Sequence, residues 1–98
     1  MLEVIEMYVT IVDINNYIGV ESLKINQILF LNKDEENIDE EAIKATTQSG
    51  ATCGYVANST DIVIRGTHSS GFVYKEIKEN QECKIIFITN NEAIAKLL

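Results

Sequence analysis

No proline interrupts this chain, and no repeated or low-complexity stretch divides it. A Pro-rich or Gly/Ser-rich linker between two domains is thereby excluded, and the 98 residues read as one domain. Long apolar runs are missing as well. Purely aliphatic and aromatic stretches stop at four residues, as in Ile85-Ile86-Phe87-Ile88, far below the roughly 20 that a membrane helix needs. The opening residues, Met1-Leu2-Glu3-Val4-Ile5-Glu6, carry acids where a secretory leader carries cations. The expectation is a soluble, cytoplasmic protein without a membrane partner.

Histidine occurs once. His68 lies in Thr67-His68-Ser69-Ser70, where hydroxyls flank a potential base. Neighbours in one loop do not supply the oriented third group and the oxyanion donors of a catalytic triad. Neither cysteine has a nearby His-x-Asn or His-x-Asp arrangement, and the chain has no GxGxxG and no phosphate-binding loop. An enzyme and a bound cofactor are therefore not expected. The two cysteines, Cys53 and Cys83, both sit in apolar segments and read as reduced core residues.

Cations are scarce: eight Lys and Arg face fifteen Asp and Glu, giving a net charge of −7. A general polyanion-binding surface is not advertised, because such binding needs several phosphate contacts. The imbalance is local. Asp34, Glu35, Glu36, Asp39, Glu40 and Glu41 form one acidic turn, and the remainder of the chain is close to neutral. As a calcium loop this turn fails. Counted from Asp34, an EF-hand needs an oxygen ligand at position five, Gly at six and Glu at twelve, and the chain has Ile38, Asp39 and Ala45. No metal site is expected.

The strands come from period-two alternation. Residues 4–12 alternate with β-branched enrichment, and neither face is fully polar, which predicts a curved strand shared by two sides of a barrel. Asp13 to Gly19 predicts a turn, and Val20 to Asn26 mostly loop; Tyr17, Phe72 and Tyr74 read as packing residues rather than stacking platforms. Gln27 to Asn32 predicts a strand buried on both faces. Asp39 to Ala42 predicts one helical turn with Asp39 as its N-cap. Ile43 to Thr47 and Ala51 to Val56 predict a hairpin across Gln48-Ser49-Gly50, with Gly50 where a positive φ is needed. Thr67 to Gly71 predicts a loop. Phe72 to Lys78 and Cys83 to Thr89 predict a second hairpin, and Asn90 to Leu98 a short C-terminal helix. Ala57 to Gly66 is ambiguous: Ile62-Val63-Ile64 favours strand, whereas Asn58-Ser59-Thr60-Asp61 and Gly66 are helix start and stop signals. The predicted class is α+β, mainly β: a small, partly open barrel of about six strands with two or three short helices.

One stretch has a recognisable order. Phe30-Leu31 is followed by Asn37-Ile38-Asp39, then Ala42-Ile43-Lys44-Ala45, then Gly50, then Gly54-Tyr55-Val56. This order resembles the core of the HIRAN domain, over about a third of the chain. The resemblance implies an OB-like or SH3-like barrel with helical insertions, including a helix at Ala57 to Gly66. It also implies a function. In the DNA-end-binding member of that family, an Asn and an Asp of the turn, with first-strand aromatics, hold the 3′ end of single-stranded DNA. The matching positions are Asn37 and Asp39, with Tyr8 on the first strand and Tyr55 beside the same groove. Met7 stands where the DNA binder has a basic residue, Val9 replaces a second aromatic, and the turn lacks the family's usual proline. Two classes are thus carried forward: a non-enzymatic module for single-stranded DNA or its 3′ end, and a protein-interaction or self-associating module, for which an acidic barrel with apolar edges is suited.

Overall fold

A computed structural model describes residues 6–58 and 62–98, without the side chains of Ile38 and Asp39. Among the described residues six strands make up the fold: β1 (Tyr8–Val12), β2 (Ile28–Lys33), β3 (Ile43–Thr46), β4 (Thr52–Val56), β5 (Gln81–Ile88) and β6 (Ala93–Leu97). Every neighbouring pair is antiparallel, and the order β1-β4-β3-β2-β5-β6 returns on itself. The ring is closed rather than partly open. Its shortest seam is β1–β4, with the pairs Ile11↔Val56 and Val12↔Tyr55.

A six-stranded ring encloses little room, and the inward residues are sized accordingly. Across four of the six seams a bulky side chain faces a small one: Leu29 opposite Cys83, Leu31 opposite Ala45, Ile11 opposite Ala93, Ile85 opposite Ala95. All eight are fully buried. Such alternation fills a tapered interior without voids. β2 shows that burial is one-sided. Leu29 and Leu31 point inward while Ile28, Phe30 and Asn32 stay partly exposed, so its apolar run reflects a half-covered outer face.

The hairpin β3–β4 forms as its local signals require, with Gly50 at φ 91. Elsewhere tertiary packing overrides local signals. The C-terminal segment is strand β6, not a helix. Its inward residues are Ala93 and Ala95, while Ile94 and Lys96 lie outward. Asn90 and Asn91 form the β5–β6 turn, closed by the Thr89 hydroxyl, which accepts from Glu92 N–H at 2.9 Å and Asn91 N–H at 3.2 Å. Residues 72–78 are not a strand. Ser69 caps helix α1 (Ser70–Val73), and a further turn follows in which Ile77 N–H bonds to the Val73 carbonyl. Val73 and Ile77, four residues apart on one face, are buried in the core. The strand count of six is preserved because one predicted strand is lost and another gained.

Of the helix expected at Ala57 to Gly66, residues 59–61 lie outside the described residues, and 62–66 form turns and bends. Thr10 explains their course. Its buried hydroxyl accepts from Ile64 N–H at 3.1 Å and lies 2.8 Å from the Thr67 hydroxyl. His68 N–H then bonds to the Tyr8 carbonyl. The segment runs as a strap over β1.

Both thiols are free and fully buried, and burial pushes Cys53 up to about 11 and Cys83 up to about 12. The thiolate is the reactive form. In native protein at pH 8 both cysteines are therefore expected to resist a thiol-labelling reagent until denaturant opens the barrel. Rapid labelling of either in folded protein would show that β4 or β5 does not face the interior.

Candidate functional site

The acidic turn folds around Asp34. A 3₁₀ segment, Glu35–Glu40, broken by a kink at Asn37 (φ −129, ψ 44), follows it, one turn earlier than the helical turn expected at Asp39 to Ala42. Glu41 adopts a positive φ of 51, which ends the helical path before Ala42. Asp34, only 8% exposed, does the capping: its Oδ1 accepts from Glu36 N–H at 3.1 Å. Its Oδ2 accepts from the Asn37 amide Nδ2 at 2.9 Å and from the Tyr55 hydroxyl at 3.4 Å. The turn after β2 and the Gly-Tyr pair of β4 therefore meet.

Asn37 and Tyr55 line one open groove of about 420 Å³, with Val12, Asp13, Tyr17, Glu40 and Asn58 among the other walls. This volume is in the range that holds a small organic group. The rings of Tyr17 and Tyr55 lie 6.0 Å apart, tilted by 48°. Tyr17 is 48% exposed, on a loop that Asn15 fixes: its Oδ1 accepts from Val20 N–H and its Nδ2 donates to the Asn90 carbonyl, both at 3.0 Å. Among the described lining residues the only charged side chains are the carboxylates of Asp13 and Glu40.

The Asn37 bond holds the Asp34 carboxyl below its ordinary value, helped by Glu36 N–H, Lys44 and the Tyr55 hydroxyl and opposed by burial. Its contribution to the turn is thus present above the usual carboxylate range and lost as pH falls through the lowered value. Burial pushes the Tyr55 hydroxyl up to about 12, with Tyr17 and Asp34 adding to the shift. It remains a neutral donor at neutral pH.

Tyr8 is elsewhere. It lies four residues before Val12 on β1, roughly 13 Å away at the rise of a strand. Its hydroxyl donates to Glu6 Oε2 at 2.7 Å, and Lys96, its cross-strand neighbour, donates to Glu6 Oε1 at 2.9 Å. That ion pair is solvent-exposed, with side chains 32% and 46% accessible, and contributes little to stability. Asp39 belongs to the same 3₁₀ segment as Asn37, and its side chain lies outside the described residues. Sequence reasoning took Tyr17 for a packing residue and gave Asp34 no part in the groove. An aromatic in an Asn-rich turn was the available signal for the first; nothing local distinguished the second from its five acidic neighbours.

No protein-family model matches the chain, and no curated protein matches it. Solved structures do. The HIRAN domain of human HLTF superposes with a TM-score of 0.65 over 94% of this chain and 72% of that one, at 17% identity. A protein from Lactobacillus plantarum superposes with a TM-score of 0.56 over 95% of both chains, at 12% identity. At these identities the likeness establishes the fold.

Proposed function

We propose that this HIRAN-like barrel is a non-enzymatic binding module whose groove takes the 3′-terminal nucleotide of a single strand. The observation that supports the reading best is the composition of the groove. It combines two tyrosine rings, side-chain amides and carboxylates, with no lysine or arginine among its described lining residues. Rings accept an unpaired base. Carboxylates accept hydrogen bonds from sugar hydroxyls and repel phosphate. The 3′ terminus is the part of a strand that offers a free hydroxyl and no phosphate beyond it. The acids that argue against binding along a phosphate backbone are thus compatible with holding an end. Asn37 and Tyr55 would contact that nucleotide. Asp39, by the resemblance, would join them, and Tyr8 lies too far along β1 to touch the same sugar.

The test is fluorescence anisotropy with a 5′-labelled oligonucleotide carrying a 3′-hydroxyl, its 3′-phosphate counterpart and a circular strand of the same sequence. The hydroxyl end should bind at least about tenfold more tightly than the phosphate end, the order of one added charge contact near a protein surface. The circle should bind no better than the phosphate. The salt dependence should be shallow, with a slope no steeper than about −0.7, the value for a single phosphate neutralised by a lysine or arginine. Asn37→Ala and Asp39→Ala should each weaken the hydroxyl-ended strand. Equal affinity for all three strands, or none for any, would overturn the reading. Sedimentation showing concentration-dependent dimers would then favour the self-association class, for which the β5 bulge that turns Ile86 and Phe87 to solvent is the natural face.

A further inference from the structure

Asn37 and Tyr55 come from different elements, and a single carboxylate ties them. Asp34 directly follows β2 and is nearly covered. Its backbone closes the acidic turn: its N–H donates to the Ala42 carbonyl at 2.9 Å, and its carbonyl accepts from Asn37 N–H at 3.0 Å. The two carboxylate oxygens then divide the work. Oδ1 accepts from Glu36 N–H, an ordinary capping bond. Oδ2 accepts from both the Asn37 amide and the Tyr55 hydroxyl. Capping alone requires one oxygen. The second is spent on two side chains that face the groove.

We propose that Asp34 is the positioning residue of the groove, its Oδ2 fixing which way the Asn37 amide and the Tyr55 hydroxyl present themselves to a ligand. The consequence follows from the donor inventory. One Nδ2 hydrogen of Asn37 is committed to the carboxylate, so the amide cannot flip without turning its carbonyl oxygen onto a negative charge. That leaves the Asn37 Oδ1 as an acceptor and the second Nδ2 hydrogen as a donor. The Tyr55 hydroxyl hydrogen is also committed, which leaves its oxygen as an acceptor only. These two side chains therefore show a ligand two acceptors and one donor in fixed places, a pattern that selects a group carrying hydroxyl or amino hydrogens. The use of that pattern for a terminal nucleotide rests on the end-binding reading above. The hold itself is a property of the free protein.

Two variants separate the carboxylate's jobs. Asp34→Ser keeps one capping oxygen and supplies none at the Oδ2 position. Asp34→Asn retains one acceptor where three donors now converge. Both are expected to keep the barrel's backbone amide spectrum outside the acidic turn and Tyr55. In both, the Asn37 side-chain amide resonances should move toward solvent-exposed positions. Binding of the hydroxyl-ended strand should fall about tenfold or more, the scale of losing hydrogen bonds to a charged group. Tyr55→Phe, which deletes one bond and leaves the cap intact, should shift the Asn37 resonances less and keeps the test available if the Asp34 variants unfold. Unmoved Asn37 resonances in Asp34→Ser, or in Tyr55→Phe where the Asp34 variants do not fold, would overturn the positioning role. If wild-type protein binds no oligonucleotide while the resonances still move, the ligand assignment fails and the positioning role stands. If wild type and Asp34→Ser bind equally and the resonances stay put, the reverse holds.

Discussion

Gly54→Ala should cost roughly 3 kcal/mol of stability, at the upper end of overpacking penalties, and lower Tm by about 12–24 °C for a domain of this size. Gly54 is buried on β4 where β1 passes closest. A Cβ there would collide with the Val12 carbonyl oxygen and sit 3.1 Å from Ile11 Cγ2 and 3.4 Å from Ile14 Cγ1. The first obstacle is backbone and cannot rotate away. The seam it would spread is the shortest in the ring, and Val12 and Tyr55 on its two sides both line the groove. The same variant should therefore lose ligand binding before it loses the fold. Gly50→Ala is the control. Gly50 has φ 91 and nothing within 4 Å, so alanine there meets only the left-handed backbone penalty of about 1 kcal/mol. Chemical denaturation of the pair checks this. A Gly54 variant no less stable than the Gly50 variant would mean that β1 and β4 do not close the ring as described.

The second large effect concerns the ring that sequence reasoning assigned to packing. Tyr17→Ala should weaken binding of a hydroxyl-ended oligonucleotide by the worth of one stacked base, about 1–3 kcal/mol, which is roughly 5- to 150-fold. Stability should change by less than about 0.5 kcal/mol, because the ring is half exposed. Tyr17→Phe should restore most of the affinity, since the stacking face is retained. Anisotropy titration measures the first effect and denaturation the second. Full affinity in Tyr17→Ala would place the base away from this ring. A large stability loss would show that Tyr17 is a structural residue after all.

How far the fold was legible follows from what each strand had to do. β1 announces itself by alternation, β2 by its apolar run, and β3 and β4 by the hairpin that Gly50 marks. β6 does not. Its core face is two alanines, which look inert in any apolar pattern, whereas Ile94, Leu97 and Leu98 mimic a helical stripe. Alanine is right there only because Ile11 and Ile85 already fill the space opposite. Phe72 to Lys78 reads as a strand, yet the buried side chains are Val73 and Ile77 at helical spacing, with Tyr74 packed beside them. The resemblance brought Asn37 and Tyr55 to notice together and also named Tyr8, which the length of β1 separates from them.

The sequence by itself determined a mainly β class, two unreactive core thiols, one concentrated acidic turn and the hairpin that places Tyr55. Those are decided by composition and by neighbours within a few residues, where side-chain alternation and turn chemistry act. Only the tertiary structure decided that the ring closes, that Ala93–Leu97 is a strand, and that one oxygen of Asp34 joins two distant segments. Each of these depends on which residue stands across a seam, and that is set by ring closure rather than by any local run of the chain.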